Sequence, residues 1–328
     1  MKYSRKRPLI AEEESNQGER TSLFSGTDKE RMVLNPGKSL KSSSKDLPRY
    51  YTVSLIYSFI GFVLAYTLTY FPGKIASALL ATVSGRGPVI FHHKILFMNV
   101  TGWERSDAVS IFAAPLVVNF IQTLVYGGLF HILKTWSGPW RFLGFWLMGL
   151  SFIRFAGCVV PGLVSGEEFG YLAGWLYLNS AFVFVAFLFS IVLILVGSGI
   201  FAKWMLETAF AKHMILKSHR WTYLSITVGL ASVLGQFWIA LVQLVNWNRL
   251  ASGRFELSSP WDSMHELILL SQCLLLWGGM SAFLLLYRQV EIIPARDLRM
   301  QNVQAPVVVI FLLLPLVVRI WLGQGWYW

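Results

Sequence analysis

Two groups of polar residues in this chain have side chains that could do chemistry, and both are set among long apolar runs. The first is Arg154 with Asn119 and Gln122. A guanidinium inside a hydrocarbon slab costs several kcal/mol or more, so an intramembrane arginine is by default a candidate for binding an anionic group. Asn119 and Gln122 stand at i, i+3 spacing, which puts both amides on one helix face. Together the three predict a polar midplane cavity that receives an anion. The structural alternative is that the amides bond between helices and backbone groups hold Arg154.

The second group is His92, His93, Glu167, Glu168, His265 and Glu266, with Arg319 near enough in the expected topology to join it. Imidazoles and carboxylates in one place can ligate zinc or carry general acid–base chemistry. The spacing assigns no metal. His-Glu-x-x-His is absent, and adjacent histidines on a helix point apart. The alternative is an interfacial histidine pair beside a solvated acidic loop. Cys158 and Cys273 both lie in apolar segments, as two small hydrophobes and not a disulfide framework. No lysine occurs in residues 306–323, so a retinal Schiff base in the last apolar run is excluded. Asn99-Val100-Thr101 forms a glycosylation sequon, of consequence only in a secretory pathway.

The elements that must position these groups follow from composition. Of 328 residues, 55% are hydrophobic and 14% charged, against about 25% charged in soluble domains. Seven runs reach the length of a helix that crosses about 30 Å of hydrocarbon. They are 51–71, 109–133, 141–164, 171–197, 221–246, 264–287 and 306–323. Backbone in a bilayer must satisfy its own hydrogen bonds, so runs of this length are helices. The sequence therefore predicts an all-α, polytopic transmembrane bundle over residues 49–328. Residues 72–108 hold two shorter apolar pieces around Ser84-Gly85-Arg86-Gly87-Pro88. They read as a re-entrant or interfacial loop, with a broken eighth span as the alternative.

Residues 1–48 are polar, carry Pro8, Pro36 and Pro48, and have too few apolar side chains to offset the entropy of ordering. They are expected to form a disordered basic tail, whose Lys2, Arg5, Lys6 and Arg7 can touch anionic lipid. The first apolar run is too long for a signal-peptide core and is expected to stay as the first span.

Charge gives the orientation. Segments that fall with the N-terminus hold 20 Lys and Arg, and those on the opposite side hold 6. That bias places the tail in the cytoplasm and the C-terminus across a plasma or inner membrane. Ten of the fourteen tryptophans fall at or near the expected span ends, where indole is favoured. The net charge of +11 sits beside apolar runs, which excludes nucleic acid as the natural partner and leaves the lipid bilayer. Three function classes stay open. These are a permease-like protein using Arg154, a membrane-embedded enzyme using the His/Glu group, and a scaffold using neither.

Overall fold

A computed structural model describes residues 36–91, 95–99, 101–133, 139–165, 169–209, 217–244, 264–286, 305–322 and 325–327. Contacts separate residues 1–47 from 48–328, and the bundle is built from the latter. The described residues form ten α-helices and one small sheet. The long helices are α1 (Pro36–Val83), α2 (Arg105–Leu133), α3 (Pro139–Ala156) and α6 (Ser180–Glu207). Two short ones, α4 (Val159–Ser165) and α5 (Phe169–Trp175), join α3 to α6. Then come α7 (Lys217–Leu224), a π turn at Ser225–Leu230 and α8 (Ala231–Leu244) in one run, followed by α9 (Met264–Leu286) and α10 (Ala305–Leu322).

Five of these helical stretches are long and apolar enough to cross a membrane: Leu47–Val83, Arg105–Leu133, Ser180–Glu207, His219–Gln243 and Leu267–Leu286. The expected third and seventh runs do not reach that measure. The apolar part of α10, Val308–Leu322, is shorter, and α3 stops at Ala156 instead of continuing to 164. The cause of that stop is local. Pro161 has no N–H, and its ring crowds the carbonyl four residues back, which belongs to Gly157. The chain turns at Gly157-Cys158 and restarts as α4, with Val160 N–H donating to Gly157 O at 3.0 Å.

The expected fourth run, 171–197, is also displaced. Tyr177 takes a left-handed φ of 55°, and Asn179 then caps α6, its Oδ1 accepting from Phe182 N–H at 2.8 Å. Asn179 is thus the N-cap of α6.

The stretch 72–83, expected in a loop, continues α1 through Pro72 to Val83. Packing on α2 keeps it helical. Gly73 lies against Pro115, where a Cβ would come within 3.3 Å of the ring. Pro115 in turn frees the carbonyl of Ile111, four residues back. Ser77 Oγ donates to that carbonyl at 2.9 Å. At its other end α1 starts at Pro36, inside the segment expected to be disordered; residues 1–35 lie outside the described residues.

After α1 the chain forms an antiparallel hairpin, β1 (Pro88–Ile90) and β2 (Ile95–Phe97). A third strand, β3 (Trp326–Tyr327), adds to β1 in the register Val89↔Tyr327 and Ile90↔Trp326. The C-terminal strand therefore sits beside the α1 exit. Buried Arg86 ties this region to α2. Its Nη1 donates to Thr101 O and its Nη2 to Gly102 O, both at 2.7 Å. It also pairs with Asp107 at 2.5 Å and lies 5.1 Å from the Trp103 ring centroid.

Helix order follows polarity. Of the five membrane-length stretches, that of α1 is the least apolar and the most enclosed, with 67% of its window buried. That of α6 is the most apolar and 11% buried. Lipid tails solvate apolar side chains as well as another helix does, so polar helices gain most from the interior. Three contacts run in step along α1 and the α7–α8 run: Ser58 donates to Thr227 O, Phe62 meets Gly235, and Tyr66 Oη accepts from Gln243 Nε2 at 3.3 Å. These helices are parallel. Trp238 Nε1 donates to Leu312 O at 3.2 Å and Arg319 Nη2 to Gln243 O at 2.5 Å, which makes α10 parallel to both.

Candidate functional site

A cleft opens where α1, α2, α9 and the α3–α4 break meet, with an empty volume of about 540 Å³ including its mouth. Each wall presents side chains one turn apart, so the lining follows from helical spacing. On α1, Tyr70 and Lys74 line the cleft at i, i+4, and Tyr66 stands one turn before Tyr70, outside the lining. Tyr66 and Tyr70 stack, with ring centroids 5.8 Å apart and planes at 8°. Lys74 is only 7% exposed and its Nζ is 5.4 Å from the Tyr70 ring centroid. Across from it, α2 brings Pro115 and Asn119, and α9 brings Ile268 and Gln272.

Arg154 enters from the last turn of α3. Its Cζ stands 5.0 Å from the centroid of Tyr66 and 4.9 Å from that of Tyr70. Its Nε is buried with no hydrogen-bond partner, as is Oδ1 of Asn119, a residue 8% exposed. None of the lining residues is a carboxylate. Each ring contact contributes about 0.5–2 kcal/mol, and the buried Nε is still left without a hydrogen-bond partner, which a bound anion would supply.

The break in α3 shapes the same place. Gln272 Nε2 reaches across from α9 to donate to Gly157 O at 2.8 Å. Ser190 Oγ on α6 donates to Ala156 O. The Ala156 carbonyl at the break is in this way satisfied from α6, and the Gly157 carbonyl, which also accepts from Val160 N–H, gains a second bond from α9. The carbonyl end of α3, with its partial negative charge, also favours a cation in the last turn.

Taken together, a planar fork of donors and an ammonium line one partly open cleft. That arrangement suits an oxyanion such as a carboxylate, sulfate or phosphate. No protein-family model, characterised protein or solved structure matches this chain. The reading of the cleft therefore rests on its geometry.

Of the residues singled out in the sequence, Arg154 and Asn119 line this one cleft. Gln122 is buried on α2 with its Oε1 unpartnered, but it does not line the cleft. Arg319, grouped in the sequence with the outer His/Glu set, lines a second cleft between α1, α8 and α10. His92 and His93 fall in the β1–β2 connection and Glu167 and Glu168 in the α4–α5 connection, all outside the described residues. His265 and Glu266 are in the first turn of α9, with side chains outside the described set. Among the described residues, no three His, Cys, Asp or Glu side chains gather to hold a metal.

Lys74, Tyr66 and Tyr70 were not foreseen as site residues. Pro72-Gly73 reads as a stop signal, which put Lys74 in a loop. The signal that finds them is the Tyr-x-x-x-Tyr-x-x-x-Lys spacing continued across Pro72.

Proposed function

We propose that this chain is a multi-pass membrane protein that binds a small oxyanion in the cleft around Arg154, in the manner of a permease. The observation that carries the reading is the Arg154 guanidinium, placed over two tyrosine rings with Nε buried and unpartnered. Lys74 lines the same space and adds a second positive charge. A helix interrupted beside the site adds support, because discontinuous helices near mid-membrane are a recurring way to build ion and substrate sites.

In this reading the α3–α4 segment and α10 join the five membrane-length helices to make seven crossings. The N-terminus is cytoplasmic and the C-terminus lies on the far side. Moving Lys74 from the loop into α1 leaves 5 basic residues against 20, so the charge bias keeps its sign. Pairing of β3 with β1 supports an odd number of crossings, since it puts the chain's end on the side where α1 exits.

The test uses the full chain in nanodiscs, with acetate, sulfate and phosphate as probes and thermal stabilisation as the readout. At least one probe should stabilise the wild type. Arg154→Ala should weaken its binding about 30-fold or more, as expected for loss of about 2 kcal/mol from a charged partner, and Arg154→Lys less. Uptake of that anion into proteoliposomes then separates a permease from a binding protein. A folded Arg154→Ala that binds every probe as the wild type does ends the proposal.

A further inference from the structure

The cleft around Arg154 is lined by more than cations. Two amides belong to it, Asn119 from α2 and Gln272 from α9, 8% and 5% exposed. An amide has a donor end and an acceptor end, and in a low-dielectric interior either one costs free energy when unpaired. Which end is left over tells what a ligand must bring.

For Gln272 the orientation is settled by its neighbour. Its Nε2 donates to Gly157 O at 2.8 Å, a bond that only the NH2 end can make to a carbonyl. The oxygen end is therefore the one left over, and among the described residues no donor reaches it. Asn119 Oδ1 is likewise buried without a partner. Both leftover atoms are acceptors. A fully deprotonated oxyanion suits Arg154 and Lys74 but sets its own lone pairs against these amide oxygens, a mismatch of the kind that discriminates between ligands.

Charge narrows the choice. Lys74 Nζ and Arg154 Cζ stand 5.4 Å and 4.9 Å from the centroid of one ring, Tyr70. None of the described residues lining the cleft is a carboxylate. Two neighbouring cations favour a dianion over a monoanion. A dianion that also carries an O–H answers the cations and the amide oxygens together, and hydrogen phosphate is the small oxyanion with both properties near neutral pH. We infer that the cleft selects hydrogen phosphate over sulfate, the P–O⁻ oxygens on Arg154 and Lys74 and the P–O–H donating to the amide oxygen of Gln272 or Asn119. The inference rests on the anion reading of this cleft and adds to it the charge and protonation state of the ligand.

The experiment is calorimetric titration of the full chain in nanodiscs with phosphate, sulfate and monofluorophosphate, at a mildly alkaline pH where all three are dianions. The three are tetrahedral and similar in size, and monofluorophosphate carries fluorine, which cannot donate, in place of the O–H. Phosphate should bind at least about tenfold tighter than either analogue, as expected when one buried acceptor loses its donor. In the double variant Asn119→Leu, Gln272→Met, which removes both amide oxygens at similar volume, the three affinities should fall within about twofold of one another. The comparison in the wild type needs no variant to fold. Equal binding of the three by the wild type, as when water answers the amide oxygens, overturns this inference and leaves the anion reading standing; so does a phosphate preference kept in the double variant. Binding of acetate alone does the same, whereas binding of none of the four ends the anion reading as well.

Discussion

Replacing Gly157 by alanine tests whether the break in α3 is built as described. An ideal Cβ at this position would fall 2.5 Å from Gln272 Nε2 and 2.7 Å from Ile153 O. Real Cβ atoms do not approach that closely, so something must move. The Ile153 carbonyl is backbone and already accepts from Gly157 N–H at 2.7 Å. Gln272 is the group able to withdraw, at the cost of its bond to Gly157 O. Leaving that buried amide unsatisfied costs about 1–3 kcal/mol. Residual crowding against Ile153 O adds about 1–2 kcal/mol. The sum, about 2–5 kcal/mol, corresponds to roughly 4–10 °C in apparent melting temperature at about 2 °C per kcal/mol. Gln272→Ala removes the same bond together with the clashing atoms. In the double variant, alanine at 157 should cost only the backbone crowding, so the two changes fall short of additivity by at least about 1 kcal/mol. Thermal unfolding of the four proteins in one detergent measures this. A Gly157→Ala protein as stable as the wild type would refute the geometry, and full additivity would refute the role of Gln272.

Two further predictions concern the region beyond α1. Arg86→Ala should destabilise by about 2–3 kcal/mol, toward the low end for a broken buried pair because Asp107 is partly exposed. Arg86→Lys should recover little of it, since one ammonium cannot reach two carbonyls and a carboxylate in the fork's geometry; full recovery in a thermal melt would contradict this. Residues directly opposite in an antiparallel ladder have Cα atoms about 4.5–5.5 Å apart, within disulfide range. In a Cys158→Ala, Cys273→Ala background, the pair Val89→Cys and Tyr327→Cys should therefore cross-link on mild oxidation. Val89→Cys with Trp326→Cys, whose side chain points to the opposite face, should cross-link far more slowly, and equal rates would refute the register.

Much of the helical architecture was legible because it depends on apolar run length alone. The runs expected at 109–133, 264–287 and 306–323 appear as helices at Arg105–Leu133, Met264–Leu286 and Ala305–Leu322. What failed was punctuation. Gly157 and Pro161 interrupt a run in which apolar residues continue on both sides, so run length alone does not reveal the interruption. Pro72-Gly73 looks like the same kind of stop, yet the helix continues there because α2 packs against it. Whether a proline ends a helix depends on what satisfies or crowds its neighbourhood, and a single sequence does not hold that information. For the site, the cost of burying charge pointed to Arg154, and helical spacing placed Asn119 and Gln122 on one face. That Asn119 and not Gln122 lines the Arg154 cleft depends on the rotation of α2 against α1 and α3, which no local rule fixes.

The prolines also explain why polarity collects where it does. Pro115 frees the Ile111 carbonyl, and Ser77 of α1 answers it. At the α3–α4 break the Gly157 carbonyl, which also accepts from Val160 N–H, takes a second bond from Gln272 of α9, and the Ala156 carbonyl is answered by Ser190 of α6. In hydrocarbon an unanswered carbonyl costs several kcal/mol, so each interruption obliges a neighbouring helix to carry a donor at that level. Ser77 lies on α1, the least apolar and most enclosed of the membrane-length stretches, whereas α6, which gives Ser190 to the Ala156 carbonyl, stays the most apolar and the least buried. Gln272 is at once the donor that closes the break and a wall of the cleft around Arg154. Under the proposed anion reading, a ligand that drew this amide away would leave Gly157 O with Val160 N–H as its donor.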